Sequence, residues 1–135
     1  MKRWLLILPL LFFVACKPEN CNTPFGQGGT IDLTDPQFSN IYNHAGGTVM
    51  VSCGHKGVLV RCVSFGQYMA FECACPKDHD VRMDPDSENY ALILTCKSCG
   101  SRFELINGAP LEGSATWCML FQYGVVVEGT LLSIY

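Results

Sequence analysis

The sequence has little basic charge, few histidines and almost no helical pattern. Nine Lys and Arg residues stand against twelve Asp and Glu residues in a chain of 135, and only three histidines are present. An acidic chain with scattered basic residues lacks the positive surface that nucleic acids bind, so no nucleic-acid partner is expected. Short β-type segments with frequent turns take the place of helical periodicity, and they predict an all-β domain.

Long apolar runs are also scarce. One stands at the start of the chain, and no second one follows. Lys2 and Arg3 precede the apolar run Trp4–Val14, which is too short to span a bilayer. A basic start followed by a short apolar run is typical of a targeting segment rather than of a folded element. We therefore expect residues 1–15 to be a signal peptide.

The targeting segment ends in Val14-Ala15-Cys16, which resembles the bacterial lipobox. The resemblance implies that Cys16 is lipidated and becomes the N-terminus. The protein would then be a lipoprotein of the cell envelope, anchored in membrane lipid and facing the periplasm or the cell surface. Two or more acyl chains on one residue give stable anchoring, whereas a single chain holds poorly. An ordinary secretory signal with cleavage nearby is the alternative.

Removal of residues 1–15 from the 135 leaves 120, which is enough for one domain with its own core. Without Lys2 and Arg3, seven basic residues face twelve acidic ones, a net charge of −5. Residues 16–29 are polar and rich in Gly, Pro and Asn, so they are expected to form a lipidated tether. Cys21 lies in that tether with no assigned partner, and residues 30–135 form the predicted domain.

The predicted domain consists of short strands joined by turns. Strands are expected at Thr30–Leu33, Thr48–Ser52, Val58–Val63, Tyr68–Glu72 and Tyr90–Thr95, with a closing hairpin of Met119–Val127 and Thr130–Tyr135. The closing hairpin is apolar on both faces and is expected to be central. A short helix is expected from Asp35 and Pro36 to about Tyr42, with Phe38, Ile41 and Tyr42 pointing inward.

Two cysteine pairs stand out in this domain, Cys73-Ala74-Cys75 and Cys96-Lys97-Ser98-Cys99. Short spacers allow both sulfurs of a pair to turn toward one centre. Each pair lies in turn-like sequence between β-type segments, so both are expected at loop tips that meet at one end of a sheet. Four thiolates form a soft, anionic site that suits Zn²⁺ or iron–sulfur chemistry.

The stretch from Tyr68 to Ile134 resembles the Rieske iron–sulfur family. The family's signature is C-x-H in one loop and C-x-x-H in another, and Cys99-Gly100-Ser101-Arg102-Phe103 resembles the second box with cysteine in the histidine position. The segment 107–115 resembles the family's G-x-P-x-x-G-P-A continuation, with Ser114 in place of the proline. The resemblance implies a Rieske-like antiparallel β-sandwich or barrel base with an inserted two-loop cysteine subdomain over residues 73–115.

Two registers against the Rieske pattern stay open. In the first, Cys73 and Cys75 take the positions of the first cysteine and histidine, and all four cysteine spacings fit. In the second, Cys75 takes the cysteine position, Lys77 stands at the histidine position and His79 is the fallback ligand. Neither register restores the two histidines. Two thiolates in place of two imidazoles add negative charge, which predicts a low reduction potential for any cluster here.

Three states of Cys73, Cys75, Cys96 and Cys99 remain as alternatives. A [2Fe–2S] cluster would make the protein an electron-transfer module with a redox protein partner. A Zn²⁺ ion would make a structural site in a binding or scaffold lipoprotein. The third state holds no metal, and disulfides such as Cys75 to Cys96 or Cys99 fasten the loops, as an oxidising envelope permits. An oxygenase needs a second, catalytic iron domain for which the chain has no room, so the chain alone is not expected to be an enzyme.

Overall fold

The protein is described by a computed structural model that covers residues 20–135. The predicted signal peptide, the predicted lipidation site Cys16 and residues 17–19 lie outside the described residues. Within the described part of the chain, every strand pairing is antiparallel and the helical content is one short segment. The predicted all-β fold is therefore confirmed. No helix among residues 20–135 is long and apolar enough to cross a membrane.

The strands form three antiparallel sheets. In chain order they are β1 (Gly29–Asp32), β2 (Thr48–Val51), β3 (Val58–Ser64), β4 (Gln67–Glu72), β5 (Asp84–Pro85), β6 (Ile93–Thr95), β7 (Arg102–Glu104), β8 (Gln122–Tyr123), β9 (Val125–Glu128) and β10 (Leu131–Ile134). The sheet orders are β1-β10-β9, β2-β3-β4-β8 and β5-β6-β7. The third sheet comes wholly from residues between β4 and β8, as expected of an inserted two-loop subdomain.

The sheet β2-β3-β4-β8 separates two hydrophobic cores. Side chains alternate between the two faces of a strand, so Val58 and Val60 of β3 enter one core while Leu59 enters the other. In β4, Ala70 and Phe71 divide in the same way. The first core is completed by the sheet β1-β10-β9, and the second core by the sheet β5-β6-β7 together with three of the cysteines, Cys73, Cys75 and Cys96.

The short helical segment begins as predicted. The Asp35 carboxylate accepts a hydrogen bond of 3.1 Å from the Gln37 N–H, and Pro36 opens a 3₁₀ turn (Pro36–Phe38) that continues into the helix α1 (Ser39–Tyr42). The expectation that Tyr42 points inward is wrong, because 39% of its surface is exposed. Phe38 and Ile41 are three residues apart and lie on the same side of this helical segment, and both are buried in the core as predicted.

The closing hairpin differs from its prediction. The expected strand Met119–Val127 is interrupted at Gly124, so that β8 pairs with β4 in one sheet while β9 pairs with β10 in another. Gly124 exchanges two backbone hydrogen bonds with Tyr135, and a Cβ at Gly124 would lie 2.5 Å from the Tyr135 ring. Strand β9 is an edge strand with exposed valines, so only β10 is central in its sheet. The crossover at Gly124 joins the two sheets of the base.

Candidate metal centre

The first cysteine loop follows strand β4. The segment Cys73–Cys75 is extended and pairs with residues 81–83, because the Cys75 N–H donates to the Val81 carbonyl at 3.0 Å and the Met83 N–H donates to the Cys73 carbonyl at 2.8 Å. Residues 76–80 form the loop tip between these two extended pieces. Side chains two residues apart on extended backbone are about 6.5 Å from each other, so the sulfurs of Cys73 and Cys75 do not meet at one point.

The second cysteine loop is the turn between β6 and β7. The Gly100 N–H donates to the Cys96 carbonyl at 2.8 Å, and the Cys96 N–H donates to the Ser101 carbonyl at 2.9 Å. Gly100 has a φ of 74°, in the left-handed region that residues with a side chain rarely adopt. This tight turn folds Cys96 and Cys99 back so that their sulfurs lie on the same side.

Four side chains from the two loops meet in one group. The sulfurs of Cys75, Cys96 and Cys99 and a carboxylate oxygen of Asp78 all lie within 4.8 Å of one another. The sulfurs of Cys75 and Cys99 are 3.6 Å apart. Cys75 and Cys96 are buried, whereas Asp78 and Cys99 are half-buried at the loop tips. This group can hold a metal ion.

The group combines two segments of the same spacing. Asp78 follows Cys75 by three residues, as Cys99 follows Cys96. A C-x-x-D loop therefore faces a C-x-x-C loop. The sequence analysis did not propose Asp78 as a metal ligand. Its position three residues after Cys75 was the feature that could have indicated this role.

Cys73 and His79, which the sequence also offers as ligands, lie outside this group. The Cys73 sulfur is fully buried and lies 3.4 Å from the Met50 sulfur in the second core. His79 lies at the surface with its Nε2 2.9 Å from the Pro76 carbonyl oxygen. Lys77 is also exposed, and its Nζ donates to the Ala115 carbonyl at 3.3 Å. The described structure thus brings together three of the four predicted cysteines, and the ligand role of each stays a prediction.

The thiols of the two loops have different electrostatic surroundings. Burial raises the pKa of Cys73 to about 12, and the nearby Glu72 carboxylate adds to this rise. Burial also raises the pKa of Cys75 to about 12, although the N–H groups of Asp78 and Lys77 face its sulfur and partly oppose the rise. Burial acts on Cys99 in the same direction, but hydrogen bonds with Ser101, Cys96 and Cys75 together outweigh it and lower the Cys99 pKa. In the metal-free site, the Cys99 thiol therefore releases its proton more readily than the Cys75 thiol does.

Ser101 connects the second loop to the chain that follows it. Its Oγ lies 3.1 Å from the Cys99 sulfur and accepts a hydrogen bond of 2.9 Å from the Ala115 N–H. Ser101 is fully buried. The protonated Cys99 thiol donates to this oxygen, and once Cys99 is a thiolate the Ser101 hydroxyl can donate to its sulfur instead.

Glu72 holds the base of the first loop and was missed by sequence analysis. Its fully buried carboxylate accepts hydrogen bonds from the N–H groups of His55 (2.8 Å), Lys56 (2.8 Å) and Ala74 (3.1 Å), and from the Tyr123 hydroxyl (2.5 Å). Burial and the neighbouring Glu72 carboxylate raise the pKa of Tyr123, so its hydroxyl stays a donor. Glu72 thereby ties the first cysteine loop to the β2–β3 turn and to β8, a contact between distant residues that no local pattern reveals.

The donor set does not fit a Rieske cluster, in which two imidazoles hold one of the two irons. No histidine of residues 20–135 belongs to the group of four. Three thiolates and one carboxylate do fit Zn²⁺, which takes sulfur and carboxylate ligands in a closed tetrahedral arrangement.

The fold is similar to that of a ferredoxin of known structure. The ferredoxin of carbazole 1,9a-dioxygenase from Nocardioides aromaticivorans IC177 is similar to this chain with 21% sequence identity and a TM-score of 0.45. The similarity covers 67% of this chain and 86% of that one. No protein-family model matches the sequence, and no curated protein matches it.

Proposed function

We propose that Cys75, Asp78, Cys96 and Cys99 bind one Zn²⁺ ion in a structural site. The observation that carries this proposal is the mutual separation of the four ligand atoms, all within 4.8 Å. Two sulfurs bound at about 2.3 Å to one tetrahedral zinc lie about 3.8 Å apart. The distance of 3.6 Å between the sulfurs of Cys75 and Cys99 is close to that value.

The same distance argues against a disulfide between these loops. A covalent S–S bond measures about 2.05 Å. In the described structure Cys75, Cys96 and Cys99 are free thiols, whereas Cys21 and Cys118 form a disulfide. A bound metal would also protect the three thiolates from oxidation in an oxidising compartment, because disulfide formation needs a sulfur that is free to react.

The role of the ion would be to fasten the two loops of the inserted subdomain. The short sheet β5-β6-β7 has strands of only two or three residues, which supply few ladder hydrogen bonds. A four-coordinate ion between the loop tips supplies stability that such a small sheet lacks, because metal-binding free energy adds directly to folding free energy. The protein would then present a rigid, metal-fastened surface to a binding partner.

Metal analysis of the full chain, purified without oxygen and without chelator, tests the proposal. We expect one zinc per chain, no visible absorption, and three free thiols at Cys75, Cys96 and Cys99 after removal of the metal. Cys96→Ser should lose the zinc. Asp80→Ala is the matched control, because Asp80 is an exposed carboxylate two residues from Asp78 and outside the ligand group.

Two results would contradict the zinc site. Two irons per chain with visible charge-transfer bands would indicate the iron–sulfur cluster and an electron-transfer role. Absence of any metal, with a disulfide between Cys75 and Cys96 or Cys99 in non-reducing mass spectrometry, would indicate a metal-free fold. Each outcome identifies one of the three states that the sequence left open.

We also propose that the mature chain begins at Cys16 and carries lipid there. The support is the sequence order of a basic start, a short apolar run and Val14-Ala15-Cys16. Metabolic labelling with a fatty acid tests this proposal. Label should appear in the wild-type chain and be absent from Cys16→Ser, and equal labelling of both chains would refute the assignment.

A further inference from the structure

A disulfide fixes the N-terminal segment to the surface of the domain. Cys21 is bonded to Cys118, which lies 97 residues further along the chain. The Thr23 hydroxyl donates to the Met119 carbonyl at 3.2 Å, and the Phe25 ring stacks on Phe121 with 4.8 Å between the ring centroids. The segment from Cys21 onward is therefore docked on the domain, in contrast to the flexible tether expected over residues 16–29.

Large apolar side chains are exposed around this disulfide. Trp117 is 86% exposed, Phe25 63% and Met119 47%. All three line the same shallow groove as Cys21 and Cys118. Isolated exposed apolar residues are common. An exposed tryptophan beside two further large apolar residues is instead typical of a surface that contacts a membrane or another protein. We call this surface, in which Met119 lies in one groove with the rings of Phe25 and Trp117, the aromatic face.

The docked segment leaves a short path from the proposed lipid anchor to the aromatic face. Cys16 and Cys21 are five residues apart, and fully extended chain spans at most about 17 Å over that length. The disulfide prevents the domain from moving further from Cys16, because Cys21 is held at its surface. Residues beside Cys21 must then lie within that distance of the bilayer.

We propose that the aromatic face, formed by Phe25, Trp117 and Met119, rests in the headgroup region of a phospholipid bilayer. Tryptophan is enriched at this depth because its ring is apolar while its N–H is polar. The inference rests on the lipid anchor proposed at Cys16. The disulfide thus sets the orientation of the domain, with the aromatic face toward the membrane.

Fluorescence of Trp117 in vesicles tests this orientation. Trp4 and Trp117 are the two tryptophans of the sequence, so Trp4→Phe leaves Trp117 as the sole reporter even where the signal peptide is retained. The full-length lipidated chain is reconstituted in phosphatidylethanolamine and phosphatidylglycerol vesicles whose acyl chains are brominated near the headgroup. We expect the Trp117 emission to shift to shorter wavelength and to lose most of its intensity to the bromine atoms. Flotation of the vesicles reports separately whether the protein is anchored.

Phe65 provides the matched control. It is 89% exposed and lies in the turn at the far end of β3, about 20 Å along the strand from the Gly54–Gly57 turn. The Gly54 N–H donates to the Gln27 carbonyl, so that turn lies beside the docked N-terminal segment. In Trp4→Phe, Trp117→Phe, Phe65→Trp, the new reporter should keep the emission of a tryptophan in water.

Each outcome decides the inference. Flotation with quenching at position 117 and none at position 65 supports it. Flotation without quenching at 117, or with equal quenching at both positions, overturns the orientation and leaves the anchor intact. A shift to shorter wavelength without quenching means that a second copy or another protein covers the face, which also overturns it. Failure to float refutes the anchor at Cys16, and the inference falls with it.

Discussion

Asp78, as a proposed ligand, would determine what kind of metal site the two loops form. Three thiolates and a carboxylate around a divalent ion carry the same net charge as the four thiolates predicted from the sequence would, but one soft sulfur donor is replaced by a hard oxygen. Asp78 is also half-buried and lies at the loop tip, where the ligand set meets solvent. Replacement of this carboxylate therefore changes one donor atom while the two buried cysteines of the group stay in place.

Replacement of Asp78 should change metal binding in a graded way. Asp78→Ala should weaken zinc binding by more than about 100-fold, since loss of a mere hydrogen-bond partner of a ligand already costs 10–100-fold. Asp78→Cys should retain the metal, because it supplies a thiolate as fourth ligand at the same spacing. Cobalt(II) substitution provides the measurement, with sulfur-to-metal bands stronger in Asp78→Cys than in the wild type. Equal affinity of Asp78→Ala and wild type would remove Asp78 from the ligand set.

Cys73 is expected to act as a buried thiol that packs in the core. Its pKa is about 12, against an ordinary value of 9.0, so the unfolded chain releases this proton at lower pH than the folded chain does. A raised pKa contributes stability that is fully present below pH 9 and is lost as the pH rises toward about 12, at no more than roughly 1.4 kcal/mol per pH unit.

Urea unfolding across that pH window separates a packing role from a ligand role. The wild type should lose stability with rising pH, and Cys73→Ala should lose less while keeping its zinc. The variant should be less stable at neutral pH, because it leaves a small cavity beside Met50. Loss of zinc from Cys73→Ala would instead make Cys73 a ligand, as the first sequence register implies.

At the scale of the element, the turn at Gly100 carries Cys96 and Cys99, the second pair of proposed ligands. A side chain at a left-handed φ costs about 1–2 kcal/mol, and Gly100 (φ 74°) and Gly66 (φ 77°) both have open space around the Cβ position. Gly100→Ala and Gly66→Ala should therefore destabilise the protein by similar amounts. Zinc affinity should fall only in Gly100→Ala, because Gly66 lies in the β3–β4 turn. Isothermal titration checks this, and unchanged affinity in Gly100→Ala would show that the turn tolerates the strain.

Elements and ligands that depend on local sequence were predictable, and those that depend on distant contacts were not. The β2–β3 hairpin and the Asp35-Pro36 helix start follow from turn and capping residues within a few positions. The C-x-x-C spacing predicts that Cys96 and Cys99 share one turn, whereas their approach to Cys75 joins two separate loops and was expected from the Rieske resemblance. The break at Gly124 depends on Tyr135, and the placement of Cys73 depends on Met50 from another strand. No local periodicity encodes such contacts, so propensity and spacing alone do not specify them.

At the scale of the whole molecule, the disulfide between Cys21 and Cys118 has a sequence separation of 97 and closes a loop that contains strands β1 to β7. Cross-linking so long a loop restricts the unfolded chain and is worth roughly 4 kcal/mol in a chain-entropy account. The double variant Cys21→Ser, Cys118→Ser should lose about that much free energy of unfolding, measured by denaturant titration. Cys53→Ser is the control, since Cys53 is a free, half-buried thiol, and an equal loss in both would show that the disulfide adds little.

The same double variant should separate anchoring from orientation. Without the disulfide, the segment before β1 is held by weaker contacts such as the stacking of Phe25 on Phe121, so the distance between Cys16 and the domain is no longer limited to five residues of chain. We expect the variant to float with vesicles as the wild type does, because the proposed lipid on Cys16 is unchanged. Trp117 emission should be quenched less by brominated lipid, since the domain is free to turn away from the bilayer. Quenching as strong as in the wild type would mean that the aromatic face binds lipid by itself and that the disulfide does not set its orientation.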